Sequence, residues 1–231
     1  SRSEMWNNET SESLENSIVN SLGINRSRLF AERLVLSYPF WKGGIEFGEE
    51  YTTSRFSSDY TTDASILGNA TSNVDENNIA GFFEIGQSFG NFNVGVGLRY
   101  EHVKFDYLEN GQKIEDQSRT YSNLFPSVSL STMIKNVQLS MTYTNKTQRP
   151  SYADLDGTVD YINRFTLEGG NPFLKPEKIH SIELMGAWRQ FFGQITYTYK
   201  KDPIMNNTHP YGDDAEIKLI TMDKFPKIQG L

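Results

Sequence analysis

The chain contains no cysteine, which removes three chemistries at once. A disulfide framework, a thiolate metal site and a cysteine nucleophile are all excluded. Positive charge is also scarce, with 22 Lys and Arg against 29 Asp and Glu and a net charge of −7. A nucleic-acid binder needs a basic stripe that displaces counterions, so nucleic acid is excluded as a partner. No apolar run approaches the ~18 residues that a membrane-spanning helix requires. Mean hydropathy is −0.54, which would be decisive against a helical membrane protein. It is not decisive against a barrel, in which only alternate strand residues meet lipid while lumen and loops are polar. The opening Ser1-Arg2-Ser3-Glu4 is no signal peptide, and the chain is expected to be a slice of a longer one.

What the chain does have is two-residue alternation. Phe92, Val94, Val96, Leu98 and Tyr100 alternate with Asn93, Gly95, Gly97 and Arg99. Side chains point to opposite faces along a strand, so this segment has one apolar and one polar or empty face. Val137, Leu139, Met141 and Tyr143 repeat the pattern, as do Ile195, Tyr197 and Tyr199. Weaker copies lie at 33–38, 44–48, 79–85, 127–131 and 182–188, with a last candidate at 216–222. In the 79–85 segment Phe82 breaks the stripe. About eight or nine strands are expected, and the final Phe225-Pro226-Lys227-Ile228 reads as another just beginning.

The connections say more than the strands. Short turns centre on 39–44, Gly90-Asn91, Lys135-Asn136 and 191–193. Long polar connections fall at 57–77, 108–120, 145–178 and 201–215. Strict alternation of short and long has no basis in a Greek-key sandwich, but it is how an outer-membrane barrel distributes its inner turns and outer loops. The fold expected is all-β, an antiparallel up-and-down meander cut from a large outer-membrane barrel. It forms a single segment, 1–231, with 1–28 an outer loop and 29–231 strands. Aromatic residues agree. Tyr38, Phe40, Trp41, Phe89, Phe92, Trp188, Phe191 and Phe192 gather at the short turns. Tyr100, Phe105, Tyr107, Tyr121, Phe125, Tyr143 and Tyr199 gather near the long loops. Two such bands are the girdles of two membrane interfaces.

Two segments sharpen this. Gly170-Asn171-Pro172-Phe173-Leu174-Lys175-Pro176-Glu177 resembles the GNP-x-LKPE signature of TonB-dependent outer-membrane receptors. Thr147-Gln148-Arg149-Pro150-Ser151-Tyr152 resembles the QRPSY segment of the Bacteroidetes-type barrel family within that group. Leu124-Phe125-Pro126-Ser127, Gly97-Leu98-Arg99-Tyr100-Glu101 and Lys201-Asp202-Pro203-Ile204 are similar to further segments of that family, in its order. The resemblance implies a barrel of about 22 strands, an N-terminal plug, contact with TonB, and import driven from the inner membrane. The plug is not recognisable in this chain. Independently of ancestry, Pro172 and Pro176 fix φ and donate no hydrogen bond, so they hold the stretch extended outside a ladder. For these loop residues a purely structural role is preferred to ligand contact.

The polar strand faces carry Arg33, Glu46, Glu84, Arg99, Glu101 and Glu183, expected to face the lumen and to pair across strands or meet the plug. His102, His180 and His209 lack ligand partners at metal-binding spacing. Asp154, Asp156 and Asp160 form only a loose imitation of a calcium loop and are taken as solvated acids. No nucleophile elbow or phosphate loop occurs. The chain is therefore expected to have no catalytic residue, no metal and no cofactor. Its expected partners are outer-membrane lipid, its own plug and TonB through parts outside this chain, and a nutrient ligand at the outer loops. The location expected is the bacterial outer membrane, and the role the wall and loops of an importer. Two alternatives stay open, a soluble lectin-like sandwich and a passive porin or adhesin barrel.

Overall fold

The computed structural model describes the backbone of residues 2–11, 14–212 and 214–230, and side chains within 19–212 and 216–230. Fifteen strands run in chain order among the described residues. They are β1 (Arg2–Ser11), β2 (Leu14–Phe40), β3 (Gly43–Thr62), β4 (Ala70–Phe89), β5 (Phe92–Glu109), β6 (Gln112–Lys113), β7 (Arg119–Ile134) and β8 (Val137–Gln148). Then follow β9 (Val159–Asn163), β10 (Thr166–Gly169), β11 (Glu177–Trp188), β12 (Phe191–Lys201), β13 (Ile204–Tyr211), β14 (Asp214–Lys224) and β15 (Lys227–Gly230). One antiparallel sheet follows the order β1-β2-β3-β4-β5-β7-β8-β11-β12-β15, with β6 on the end of β5. A second sheet has the order β13-β14-β10-β9, in which β10 and β14 are parallel. The eight expected wall strands are β2, β3, β4, β5, β7, β8, β11 and β12, and β15 is the strand beginning after them. Segment 216–222 is a strand as well, but it sits in the second sheet and not in the wall.

Two-residue turns close the four wall hairpins. The first residue of each has positive φ: Trp41 at 52°, Gly90 at 62°, Lys135 at 53° and Arg189 at 52°. Positive φ at the first turn residue gives a twist that matches the right-handed twist of the flanking strands. Register then carries one row across the whole wall, Tyr38–Ile45–Ile85–Val96–Val128–Tyr143–Ile182–Tyr197. The row lies nearest its turn at Tyr38 and steps further from it toward β8. That stagger is the shear of strands tilted about a barrel axis.

The outward face of the wall is apolar and uncovered. Phe47, Ile79, Phe83, Val96, Leu98, Leu130, Met141, Leu184 and Ile195 are all exposed on it. A sandwich needs a second sheet over such a face, and among the described residues none lies there. At its lower edge Trp41 meets Phe89 edge-on at 5.4 Å, and Trp188 stacks on Phe191 at 6.0 Å. At its upper edge His180 lies between Tyr143 and Tyr199, at 6.2 and 6.1 Å. His180 Nδ1 and the Tyr143 hydroxyl are 2.9 Å apart. His180 is thus a member of the upper belt.

Above that belt the polarity of the two faces inverts. Outward positions become polar, as in Asn73, Asp75, Asn77, Lys104 and Asp106, while inward positions carry Phe56, Val74, Val103, Phe105 and Tyr107. This corrects the upper girdle. Phe105 and Tyr107 are 1 % and 2 % exposed, in a core with Phe56, Val74, Leu155 and Leu174 on the inward face. Tyr121 and Phe125 share that inward parity on β7. The 1–28 segment also differs from expectation. Its described backbone is the β1–β2 hairpin, paired from Arg2↔Ile24 to Ser11↔Leu14, with β2 continuing along β3. It is a ladder that satisfies its backbone groups strand to strand, not a loop. Residues 1, 12 and 13 lie outside the described residues.

Candidate functional site

The outer connection 149–176 folds down over the inward face of β3, β4 and β5. Its base is closed by the pair Gln148↔Glu177. Tyr152 stacks on Phe56 at 5.7 Å and shares a hydrogen bond with Ser54. Leu155 and Leu174 fill the core beneath. At Gly170 a Cβ would lie 2.2 Å from the Asp156 carbonyl and 2.7 Å from that of Ala153, so only glycine lets the chain fold back this closely. Asn171 ties three segments together. Its backbone N–H donates to the Asp154 carbonyl at 2.6 Å, and its side-chain amide donates to the Met222 carbonyl at 3.0 Å and to Asp223 at 3.1 Å. Pro172 is buried and its carbonyl accepts from Arg119 at 3.1 Å. Glu177, also buried, accepts from the Ile204 N–H at 2.7 Å and lies 3.5 Å from the Lys200 ammonium.

Arg149 brings the loop onto the wall through charge. Its guanidinium lies 3.0 Å from Glu76 and 3.0 Å from Glu101. Glu101 in turn pairs with Arg99 at 2.8 Å, and Arg99 with Glu50 at 3.3 Å. The chain Glu50–Arg99–Glu101–Arg149–Glu76 crosses three strands and one loop on the inward face. Burial nevertheless holds the Glu76 carboxyl above its ordinary range, with Arg149 only partly opposing.

Above this lies an acidic cavity of about 210 Å³, bounded by β2, β3, the loop and β14. Asp154, Asp156, Asp160 and Glu168 line it, with Tyr60, Thr221 and Gly170. Asp156 is anchored, accepting from Ser72 at 2.6 Å and from the Thr158 hydroxyl at 2.7 Å. Asp160 has no such anchor among the described residues. Burial first, and then Asp156 and Glu168, push its carboxyl up to about 6. Among the described residues no three acid or imidazole groups are arranged to hold a metal ion. The tie to pH has a definite sign. A carboxyl raised in the folded state weakens the fold as it ionises, so the penalty is absent near pH 4 and complete above about pH 6. Asp160→Asn should leave protection of the loop amides against hydrogen exchange unchanged near pH 4. Near pH 8 it should raise that protection by on the order of 1 kcal/mol, after discounting for solvent screening. Equal protection at both pH values would sink this account.

The sequence from 1 to 223 matches the model of the outer membrane protein β-barrel family. The chain belongs to that family. Solved outer-membrane receptor and transporter barrels share its fold. The copper transporter OprC superposes with a TM-score of 0.65 at 13 % identity, covering 95 % of this chain and 36 % of that one. The alcaligin outer membrane receptor FauA of Bordetella pertussis gives 0.54 at 13 % identity, over 92 % of this chain and 36 % of that one. The ferric yersiniabactin uptake receptor FyuA of Yersinia pestis gives 0.53 at 15 % identity, over 88 % and 32 %. This chain therefore spans about a third of the length of each of these three proteins. Among curated proteins its sequence has no significant match. The protein is one of the bacterial outer membrane.

Within this barrel, the residues singled out by sequence part into groups. Gln148, Arg149, Pro150, Gly170, Asn171, Pro172, Leu174 and Glu177 build the loop and its seat, whereas Lys175 and Pro176 border a separate cavity in the wall. Of the six strand-face charges, only Arg99 and Glu101 join one network. Arg33 lies over the Phe82 ring at 5.1 Å, Glu46 accepts from Ser37 at 3.2 Å, and Glu183 accepts from Gln194 at 2.8 Å. Glu84 packs across the space left by Gly97. Phe82, which broke the apolar stripe, points inward and fills the space above Gly48. Sequence reasoning missed Glu50 and Glu76 as partners. Their inward parity with Glu46 and Glu84 was the available signal.

Proposed function

We propose that the chain supplies wall and outer loops to a TonB-dependent receptor that imports a scarce or bulky nutrient, such as a siderophore, oligosaccharide or peptide. One observation carries the proposal. The 149–176 loop and the β13–β14 hairpin fold inward over the mouth and leave a polar cavity there, instead of standing clear of an open channel. Loops held on a rigid wall are the usual carriers of binding residues. The shared barrel fold supports the reading, since FauA is a receptor for alcaligin and FyuA takes up ferric yersiniabactin. The energy coupling would come from a plug and a TonB contact in the full protein. No catalytic role is part of this reading.

The test is genetic. Deleting the full-length gene and, separately, the TonB gene should abolish uptake of the same nutrient in a transport assay over siderophores, oligosaccharides and peptides. If the TonB deletion abolishes uptake of a nutrient while the gene deletion leaves uptake of every candidate unchanged, the importer reading fails. A passive channel would instead show uptake that survives loss of TonB.

A further inference from the structure

The wall contains a slot. β7 pairs with β5 as far as Arg119, and β8 pairs with β11 as far as Gln148. Yet β7 and β8 pair with each other only from Ser127↔Thr144 to Ile134↔Val137. Above that point the two strands part, and the gap leads into a cavity of about 400 Å³. Arg119, Lys175, Lys178 and Lys224 line it, against the single carboxylate of Asp202. In a chain with a net charge of −7 this is a local reversal of sign.

Of these cations Arg119 is favoured by the Glu76 carboxylate on the inward face, and the lysines are the unbalanced ones. Lys175, Lys178 and Lys224 form no ion pair among the described residues. Arg119 stacks over Phe105 at 4.2 Å and donates to the Pro172 carbonyl, while its Nε is buried without a hydrogen-bond partner. The Lys224 ammonium is held below the usual lysine range, by burial first and by Lys175 and Arg119 crowding it, with Asp202 opposing. Lys175, Lys178 and Lys224 are exposed at the opening and Arg119 lies half-buried behind them; like charges gathered there repel, and an anion between them would relieve that repulsion. The position is informative too. Lys178 is two residues above His180 in the upper aromatic belt and faces outward beside Thr147. The slot therefore opens at the height of the outer headgroup layer.

We propose that the slot between β7 and β8 is a binding site for a phosphoryl group, held by Arg119, Lys175, Lys178 and Lys224. Several ammonium groups with one guanidinium suit a multiply charged tetrahedral oxyanion, which accepts charge-assisted hydrogen bonds at each oxygen. A phosphorylated headgroup of the outer leaflet and free inorganic phosphate share this chemistry. The site is independent of the import reading, because it opens through the side of the wall.

The experiment uses the full-length protein folded into phosphatidylcholine vesicles, alone or with a minor share of phosphatidic acid, with and without inorganic phosphate. The wild type is compared with Lys175→Gln/Lys224→Gln, which changes two side chains outside the packed core. The readouts are the unfolding midpoint and the phosphorus NMR line width. If inorganic phosphate stabilises and broadens in the wild type, and the double variant binds at least about tenfold more weakly, the site takes free phosphate. If only phosphatidic acid stabilises and the variant loses the effect, the site takes a lipid headgroup. The variant without added anion at low salt should also be at least as stable as the wild type, because repulsion is relieved. If neither anion distinguishes wild type from variant, the proposal is overturned.

Discussion

Arginine in place of Leu98 should cost the folded barrel about 2–4 kcal/mol in lipid, and arginine in place of His102 about 0–1 kcal/mol. Both positions lie on the outward face of β5, and Leu98 is 49 % exposed there with no protein over it. In water an exposed position tolerates charge. Within the hydrocarbon it does not, because the guanidinium loses its hydration and finds no partner. Four residues on, at His102, the same face has left the apolar band, and two further on it carries Lys104. Arg99, next to Leu98, is tolerated because it points inward to Glu50 and Glu101. The measurement is a urea folding titration of the full-length variants in phospholipid vesicles. Equal losses at 98 and 102 would mean that the band ends elsewhere or that this face does not meet lipid.

Leu174→Ala should destabilise the 149–176 loop by about 2–5 kcal/mol, the range for emptying a buried leucine site. Phe173→Ala, one residue away, should cost less than about 0.5 kcal/mol. Phe173 is 58 % exposed and Leu174 is 1 % exposed. The leucine packs where Phe56, Val74, Phe105, Tyr107 and Leu155 converge, so its loss leaves a void between loop and wall. Hydrogen exchange or limited proteolysis of the loop reads the difference directly. Similar protection in the two variants would show that the loop is held by Arg149 and Asn171 alone and that the apolar seat contributes nothing.

The role of the GNP-x-LKPE segment follows from this contrast. Its prolines announced an extended, unladdered stretch, and there the structure packs a glycine against three carbonyls and bonds an asparagine to two segments. Leu174 as the anchor was not legible. An isolated leucine in a polar loop carries no periodicity, and its burial depends on side chains 67 to 118 positions earlier, Phe105, Tyr107 and Phe56. The acids Asp154, Asp156 and Asp160 were read as solvated. Asp156 is instead bound to Ser72 and Thr158, and Asp160 is pressed against its like-charged neighbours. Only the fold-back of the loop brings them into one cavity.

Local alternation by itself determined that this chain is all β, where its eight wall strands lie, which connections are short, and that one face of the membrane band is apolar. Those properties follow from the two-residue period and from turn chemistry, both set by neighbours in sequence. What each face meets was decided by the tertiary structure. In the membrane band Val96 and Leu98 point out to lipid, but a few residues on, the apolar residues Val103, Phe105 and Tyr107 point in, against the loop. Alternation is blind to that inversion, because a strand shows the same period whether its apolar face is covered by lipid or by a distant segment of its own chain. The same holds for the ionic chain of Glu50, Arg99, Glu101, Arg149 and Glu76, and for the slot where β7 leaves β8. Each depends on register and loop placement, set only when strands and loops far apart in sequence pack together.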